Sequence, residues 1–229
     1  MPEVTDQSLL RFVQLLTSAM DAGDPFTHGR AYHCSKYARR VGRHFALSEP
    51  ELMDLELAAL LQDLGKRLVL HETSRKAGPL NSDERSRMVT HASISARLLA
   101  DLPFLRGASF LIGALNERWN GEGFPAGLRG EGIALGSRIL AAVSALDAMT
   151  SDRPYRAGLE PEQAYSELRR EAGTRFDPAV VDALIALHES GDLLTEFDRN
   201  DALLFLSDVG DTVPELGPVG ATGASGRAA

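Results

Sequence analysis

Asp63 and Lys66 are the first residues of this sequence whose types and spacing could do chemistry. They stand three positions apart at the end of an apolar helical segment, so a carboxylate and an ammonium share one face. A surface ion pair would account for them, and so would a metal-ligating aspartate followed by a lysine that faces a phosphate. His91 is a third candidate ligand in a later helical segment, where a buried and hydrogen-bonded histidine is the structural alternative.

A second group of candidate residues follows Glu117, in a segment with the sequence Glu-Arg-Trp-Asn-Gly-Glu-Gly-Phe-Pro. Glycine permits positive φ and close backbone approach, so a glycine-rich run that ends in Phe-Pro predicts a loop of fixed shape. Further along, Arg153 and Arg156 flank Pro154 and Tyr155 and offer two guanidinium groups to a carboxylate or a phosphate. A clamp between helices, made through Asp or Glu, is an equally open interpretation of these arginines.

Helices are the elements that must position these residues, and the hydrophobic pattern predicts an all-α fold. Apolar residues recur at helical spacing along most of the chain, and no convincing strand alternation occurs. The long glycine-rich stretch between 119 and 136 interrupts the helices as an ordered loop. The predicted helices cover 6–22, 28–45, 48–65, a segment from 81 that includes His91, 103–118, 136–150, 161–172 and 178–190.

The length and composition indicate one large helical domain with flanking segments. The chain has 229 residues, of which 44% are hydrophobic and 24% are charged, as in ordinary globular proteins. We expect a leading amphipathic helix in 1–23 that packs on the domain or pairs with another copy, and the domain itself in 24–190. The remaining 191–229 would hold a short docking segment at Leu203–Leu206 and a tail without fixed structure.

Charge, cysteine content and hydropathy exclude several classes of protein. A net charge of -8 argues against nucleic acid as a partner, because the anionic phosphate backbone binds proteins with an excess of Lys and Arg. The single cysteine, Cys34, excludes an intramolecular disulfide and a cysteine-rich zinc site. No apolar run approaches the ~20 residues that span a bilayer, and the N-terminus lacks a secretory pattern. We therefore expect a cytoplasmic protein without a membrane span.

Taken together, the motifs resemble those of the HD-GYP domain family, a branch of the HD phosphohydrolase superfamily. The resemblance covers most of the chain, from 24 to 188. It includes Asp-Pro-Phe-Thr at 24–27, Leu-Leu-Gln-Asp-Leu-Gly-Lys at 60–66, Asn-Gly-Glu-Gly-Phe-Pro at 120–125, Arg-Pro-Tyr-Arg at 153–156 and Phe-Asp-Pro at 176–178. This resemblance implies an HD-type helical core and a cyclic di-GMP phosphodiesterase that works with two or three metal ions, often iron or manganese.

Most positions at which the resemblance implies metal ligands hold other residue types. The implied positions of four histidines and one aspartate hold Arg30, Gln62, Leu115, Asn116 and Ser144. Asp63 and His91 are the implied ligands that remain by type. Two donors cannot hold a divalent ion tightly against water, and a guanidinium stays protonated at any working pH. The sequence thus predicts that the binuclear centre is missing, that no metal cofactor is bound, and that Asp63, Lys66 and His91 are vestiges.

A metal-free site would need a positive charge beside Asp63, because a buried carboxylate without compensation is costly. In the fold that the resemblance implies, Arg30 lies on the facing helix. We therefore predict an Arg30–Asp63 ion pair, with Lys66 as a candidate second cation. His33, one turn after Arg30, could replace a missing ligand only with compensating shifts of the helix.

Three functions remain open on this basis. The first is a catalytically inactive HD-GYP-like module that acts by protein interaction, with a GGDEF-type or other signalling protein, or a second copy of itself, as partner. The second is a receptor that binds cyclic di-GMP without cutting it. The third is a metal-dependent cyclic di-GMP phosphodiesterase with a remodelled site that holds iron or manganese. The residues predicted to contact a ligand or partner are Arg30, Lys66, Glu117, Gly121, Gly123, Phe124, Pro125, Arg153, Tyr155 and Arg156.

Overall fold

The computed structural model describes residues 6–21, 29–69, 90–151 and 157–191, and within these ranges it contains helices and no strand. This confirms the predicted all-α fold. Two short 3-10 helices, Pro103–Leu105 and Gly130–Gly132, accompany the α-helices. The α-helices are α1 (Asp6–Asp21), α2 (Arg30–His44), α3 (Glu49–Leu61), α4 (Leu64–Val69), α5 (His91–Ala100), α6 (Arg106–Gly113), α7 (Leu135–Thr150), α8 (Pro161–Glu171) and α9 (Pro178–Glu189).

Two helices end earlier than the sequence predicts, and both differences affect the candidate site. The helix predicted over 48–65 stops at Leu61, and a turn separates it from α4. At Gly65, close packing on α5 leaves no room for a side chain, since a Cβ would lie 2.3 Å from the carbonyl oxygen of His91. The helix predicted over 103–118 stops at Gly113. Asp63 consequently lies in a turn and Glu117 directly after one, outside the helices that were predicted to contain them.

The start of α3 illustrates how local sequence sets a helix boundary. Ser48 is its N-cap, and the backbone N–H of Ser48 donates to the Glu51 carboxylate over 2.8 Å. Pro50 lies in the first turn, where the missing N–H has no helical partner to lose. The predicted start is confirmed, and α3 thereby enters the core with its apolar residues in place.

The core lies where α2, α3, α6 and α7 pack against one another, with α8 and α9 alongside α7. Burying a large aliphatic side chain contributes about 1.5–3 kcal/mol, so apolar packing is the main favourable term between these helices. The large side chains that are fully buried in this core include Leu55, Ile112, Ile139, Leu140, Leu168 and Leu184.

A buried ion pair also fixes α2 on α3. Arg39 donates to the Glu56 carboxylate over 2.7 Å and to the Glu49 carboxylate over 2.6 Å. Glu56 is only 2% exposed, so it depends on this guanidinium for its charge to be compensated. The contact holds α2 in the position from which its first residue, Arg30, reaches the candidate site.

The two ends of the chain differ in what the structure describes. Helix α1 packs against α3 and α2, with Val13 only 5% exposed. The predicted docking segment at Leu203–Leu206 and the predicted tail lie outside the described residues. The division into 1–23, 24–190 and 191–229 therefore stays a prediction. Within the described ranges, no helix combines the length and the apolar character that crossing a membrane requires.

Candidate functional site

Five charged or titratable side chains meet where four helices approach one another, and we call them the charged cluster. One comes from the first residue of α2, one from the turn after α3, one from α4, one from the start of α5 and one from the last turns of α7. The members of the charged cluster are Arg30, Asp63, Lys66, His91 and Asp147.

Arg30 makes its main contact with Asp147, where the guanidinium Nε donates to the Oδ2 atom of the carboxylate. The Arg30 side chain is 10% exposed and that of Asp147 only 1%, so this is a buried ion pair between α2 and α7. Sequence reasoning missed Asp147 as the partner of Arg30. A signal was available, because Asp147 lies three positions after Ser144 and therefore shares the helix face on which the resemblance implies a ligand.

Asp63 is contacted by three members of the cluster, which are Lys66, His91 and Arg30. The ammonium of Lys66 lies 2.7 Å from Asp63 Oδ2, and the imidazole Nε2 of His91 lies 3.5 Å from Asp63 Oδ1. Arg30 Nη1 lies 3.8 Å from Asp63 Oδ2. The predicted Arg30–Asp63 ion pair is thus present, but it is longer than a hydrogen bond and secondary to the contacts of Arg30 with Asp147 and of Asp63 with Lys66.

These contacts keep the Asp63 carboxylate and the Arg30 guanidinium charged. Burial alone would raise the pKa of Asp63, but Lys66, a hydrogen bond from His91 and Arg30 together hold that pKa far below its usual range. Burial alone would lower the pKa of Arg30, but Asp147 and Asp63 raise it well above its ordinary value. The cluster therefore carries fixed charges of both signs, which compensate each other without a further ion.

The depressed pKa of Asp63 predicts a pH-dependent contribution to stability. A carboxyl whose folded pKa lies below its unfolded value stabilises the fold above about pH 4, and this contribution is lost as the pH falls, since the unfolded chain takes up the proton first. We expect Asp63→Asn to be less stable than the unchanged chain near neutral pH, with a difference that shrinks towards about pH 3. Urea unfolding over a pH series measures this, and a difference that is constant with pH would contradict it.

The charged cluster does not fit the two-metal centre that the family resemblance implies. Arg30 contacts both carboxylates, and a guanidinium cannot lose its proton to become a ligand. Two divalent ions need several convergent nitrogen and oxygen donors and a bridging carboxylate. In the described part of the chain, no three His, Cys, Asp or Glu side chains are grouped so that they could hold a metal ion.

The other positions at which ligands are implied have structural surroundings of their own. Gln62 is 4% exposed, and its amide donates to the carbonyl of Ala59 over 3.2 Å. Leu115 packs against the apolar core. The backbone carbonyl of Asn116 accepts the N–H of Phe124 over 3.2 Å and so helps to fix the glycine-rich loop.

Glu117 holds the glycine-rich loop from inside. Its side chain is buried, with 5% of the residue exposed, and its two carboxylate oxygens accept the backbone N–H groups of Ala126 over 2.7 Å and Leu128 over 3.0 Å. Sequence reasoning placed Glu117 among the residues that contact a ligand or partner. In the structure, the loop backbone donates to this carboxylate, because the loop folds back over the turn that follows α6. A direct contact of Glu117 with a ligand or partner stays a prediction.

The loop, 117–130, has the fixed shape that its glycines predict. Gly121 has a φ of 85°, and a Cβ at Gly123 would lie 2.2 Å from the backbone nitrogen of Arg118. Two backbone hydrogen bonds, from Trp119 and Asn120 to the segment between α8 and α9, anchor the loop on the domain. The loop consequently presents the exposed side chains of Phe124 and Pro125 to solvent.

Gly123→Ala is expected to displace this loop, because the new methyl group collides with backbone atoms that cannot rotate away. Overpacking of this kind costs about 1–3 kcal/mol. Trp119 is the single tryptophan of the chain, so its emission and its near-ultraviolet circular dichroism report on the loop. Gly132→Ala, at a position with open space around a Cβ, is the matched control. Equal spectra and equal stability of the two variants would show that the loop shape does not depend on Gly123.

Several other residues that the sequence singled out remain to be placed. Arg153, Tyr155 and Arg156 lie outside the described residues, and their predicted role in binding stays a prediction. His33 is 6% exposed and packs edge-on against the ring of Tyr32. Cys34 is 1% exposed, and burial raises the pKa of its thiol well above the ordinary value, so it is not poised as a nucleophile.

Comparison with known proteins agrees with the fold and the motifs. The sequence profile of the HD domain matches residues 14–180. The cyclic di-GMP phosphodiesterase response regulator RpfG of Xanthomonas campestris is 34% identical over 74% of this chain and 46% of its own length. The 3'3'-cGAMP-specific phosphodiesterase 3 of Vibrio cholerae is 31% identical over 72% of this chain and 36% of its own length. The chain thus spans less than half of each of these relatives.

Solved structures show the same fold. A crystal structure of a cyclic GMP-AMP-specific phosphodiesterase of V. cholerae (V-cGAP3) has a TM-score of 0.66 and 24% identity, over 86% of this chain and 53% of that one. Bd1817, an HDG"Y"P protein of Bdellovibrio bacteriovorus, has a TM-score of 0.58 and 16% identity, over 80% of this chain and 62% of that one. With a profile match over most of its length, the motifs in order and this helical fold, the chain belongs to the HD domain family, in its HD-GYP branch.

Proposed function

We propose that this chain is a non-hydrolytic HD-GYP module that acts by protein interaction in cyclic-dinucleotide signalling. The observation that supports this most is the position of Arg30, whose guanidinium is engaged by Asp147 and lies 3.8 Å from Asp63. Hydrolysis through two metal ions requires Asp63 to face a metal ion that coordinates water and lowers its pKa, which a guanidinium cannot do.

Charge balance favours interaction over retention of a dinucleotide in the cluster. Arg30 and Lys66 are positive, Asp63 and Asp147 are negative, and each cation is within 4 Å of a carboxylate. A phosphate diester entering the cluster would have to compete with these intramolecular contacts. The cluster is therefore expected to bind a phosphate more weakly than two unpaired cations would.

The interaction surface in this proposal is the glycine-rich loop with Phe124 and Pro125 at its tip. Internal hydrogen bonds, including those to Glu117, preform the loop, so little conformational entropy is lost on binding. An exposed aromatic side chain on a rigid loop is typical of an interface anchor. The proposed partner is a GGDEF-type or other signalling protein, with Gly121 and Gly123 shaping the contact and Arg153, Tyr155 and Arg156 extending it.

Binding to a purified GGDEF-type cyclase from the same organism tests this proposal. We expect Phe124→Ala to weaken the affinity at least about tenfold, as the loss of an interface anchor does. Phe110→Ala is the matched control, because Phe110 is 66% exposed and belongs to α6 rather than to the loop. Equal binding of both variants, or no binding by the unchanged chain to any cyclase of the organism, would count against this surface and partner.

Cleavage of a cyclic dinucleotide is the second candidate, and the relatives favour it directly. Both relatives described above are named as phosphodiesterases, for cyclic di-GMP and 3'3'-cGAMP respectively. Incubation with each dinucleotide in the presence of iron or manganese measures turnover. Turnover that Asp63→Asn abolishes would replace the proposed function by hydrolysis. Heat of binding to cyclic di-GMP without turnover would instead identify a receptor.

A further inference from the structure

An open groove lies where the last turns of α2 and α9 approach each other. It has a volume of about 420 Å³ and is lined by Arg40, Arg43, His44, Leu187 and Gly191. This volume falls within the range of about 300–1,000 Å³ that small-molecule sites occupy. Arg43 stands thirteen residues after Arg30 on α2, which corresponds to about 20 Å along the helix axis. The groove is therefore separate from the charged cluster.

In the described part of the chain, the two arginines of the groove lack the carboxylate partners that Arg30 and Arg39 have. Among the described residues, no Asp or Glu oxygen lies within 4 Å of a guanidinium nitrogen of Arg40 or Arg43. The neighbouring Arg39, by contrast, contacts two glutamates. In addition, Nη1 of Arg40 is buried and has no hydrogen-bond partner in the described part of the chain. Protein atoms cover this nitrogen, so the donors available to a ligand in the groove are the remaining N–H groups of Arg40 together with those of Arg43.

The end of a helix carries partial negative charge on its last carbonyl groups, which offsets part of the charge of Arg43 in the last turn of α2. A planar guanidinium binds carboxylate and phosphate groups through parallel N–H donors, and two guanidiniums on one helix face can share one such group. Leu187 adds an apolar wall on the α9 side.

We propose that this groove binds a small ligand through an oxyanion, either a carboxylate or a phosphate, with Arg40 and Arg43 as the donors and Leu187 beside its apolar part. The site goes beyond the proposed interaction of the glycine-rich loop and does not depend on it. It also does not depend on whether the charged cluster holds metal, because no cluster residue lines the groove.

Titration of the full chain with inorganic phosphate, and separately with succinate, at constant ionic strength tests this proposal. Arginine Nε–Hε signals in nitrogen-15 NMR spectra give the readout. We expect a saturable shift with at least one probe, and the tighter probe distinguishes a phosphate from a carboxylate ligand. Arg43→Gln should weaken that binding about tenfold, as the loss of a charge-assisted pair does. Arg40→Lys keeps the charge but removes the parallel N–H donors of the planar guanidinium, and it should weaken binding as well.

Arg170→Gln is the matched control, because Arg170 is an exposed arginine that pairs with Glu167 on α8, outside the groove. It should bind the probe as the unchanged chain does, and the melting temperature of Arg43→Gln should be unaltered, since Arg43 is exposed. Absence of a saturable shift with both probes, or equal binding by Arg43→Gln and Arg170→Gln, would overturn the proposal.

The sequence that follows Gly191 offers a competing occupant that the same titration detects. It begins Asp-Leu-Leu-Thr-Glu and so places the acidic Asp192 and Glu196 directly after a residue that lines the groove. A chain with Asp192→Asn and Glu196→Gln should bind the probes as the unchanged chain does if the groove serves an external ligand. Binding that becomes about tenfold tighter would show that this acidic segment is the occupant, and it would overturn the small-ligand assignment.

Discussion

Replacing Arg30 with methionine is expected to lower the free energy of unfolding by about 3–5 kcal/mol, the range for removing one partner of a buried ion pair. Methionine has a similar length and no charge, so the Asp147 carboxylate, at 1% exposure, would lose the guanidinium that donates to it. Asp63 would lose a more distant cation and keep Lys66. Denaturant unfolding at neutral pH, followed by circular dichroism, measures the change.

Two further variants separate charge from packing at this position. The double variant Arg30→Met with Asp147→Leu should recover most of the loss, because a packed apolar pair of similar volume can replace a buried ion pair. Arg30→Lys should fall between the unchanged chain and Arg30→Met, since an ammonium keeps the charge but not the planar fork. If Arg30→Met unfolds within about 0.5 kcal/mol of the unchanged chain, as surface substitutions do, Arg30 does not hold the cluster together.

Restoring the implied ligands is expected to create a metal-binding protein. The substitutions are Arg30→His, Gln62→His, Leu115→His, Asn116→His and Ser144→Asp. Together with the retained Asp63 and His91 they supply nitrogen and oxygen donors in place of a guanidinium, an alkyl group, two amides and a hydroxyl. After loading with iron or manganese and extensive dialysis, we expect stoichiometric metal. We also expect a metal-dependent gain in stability of about 2.7 kcal/mol when free metal exceeds the Kd a hundredfold.

The sharpest control keeps Arg30 and introduces only the other four substitutions. The guanidinium between Asp147 and Asp63 should then continue to exclude the ions, so this variant should bind far less metal than the fivefold variant. Equal metal content in the two variants would show that Arg30 is not what closes the cluster to cations. Metal content by elemental mass spectrometry and the effect of a chelator on unfolding provide two independent readouts.

The fold was largely predictable because helix periodicity and capping are local properties of the sequence. Ser48 with Glu51 three positions later predicts the start of α3 without knowledge of any distant residue. The ends at Leu61 and Gly113 were not predictable in the same way. The sequence around Gly65 also does not show that the backbone of α5 packs against this residue too closely for any side chain.

The candidate site was predictable in its members more than in its contacts. The sequence indicated that Arg30 compensates a carboxylate, but the carboxylate that accepts its Nε is 117 residues away, on α7. Which of two nearby carboxylates faces a guanidinium depends on how α2 and α7 pack, and local patterns carry no information about that. Glu117 shows the same limit, because the backbone N–H groups that occupy it lie nine and eleven residues further along the loop.

Elemental analysis of the purified, unaltered chain tests the central claim most directly. The protein should be incubated with iron(II) and manganese(II), freed of unbound ions by gel filtration, and analysed by mass spectrometry together with its unfolding midpoint with and without chelator. If salt bridges close the cluster, the metal content should be far below one ion per chain. The unfolding midpoint should then be the same with and without chelator. Two tightly held ions per chain, with a midpoint that falls when they are removed, would show that the arginine leaves room for a working metal centre.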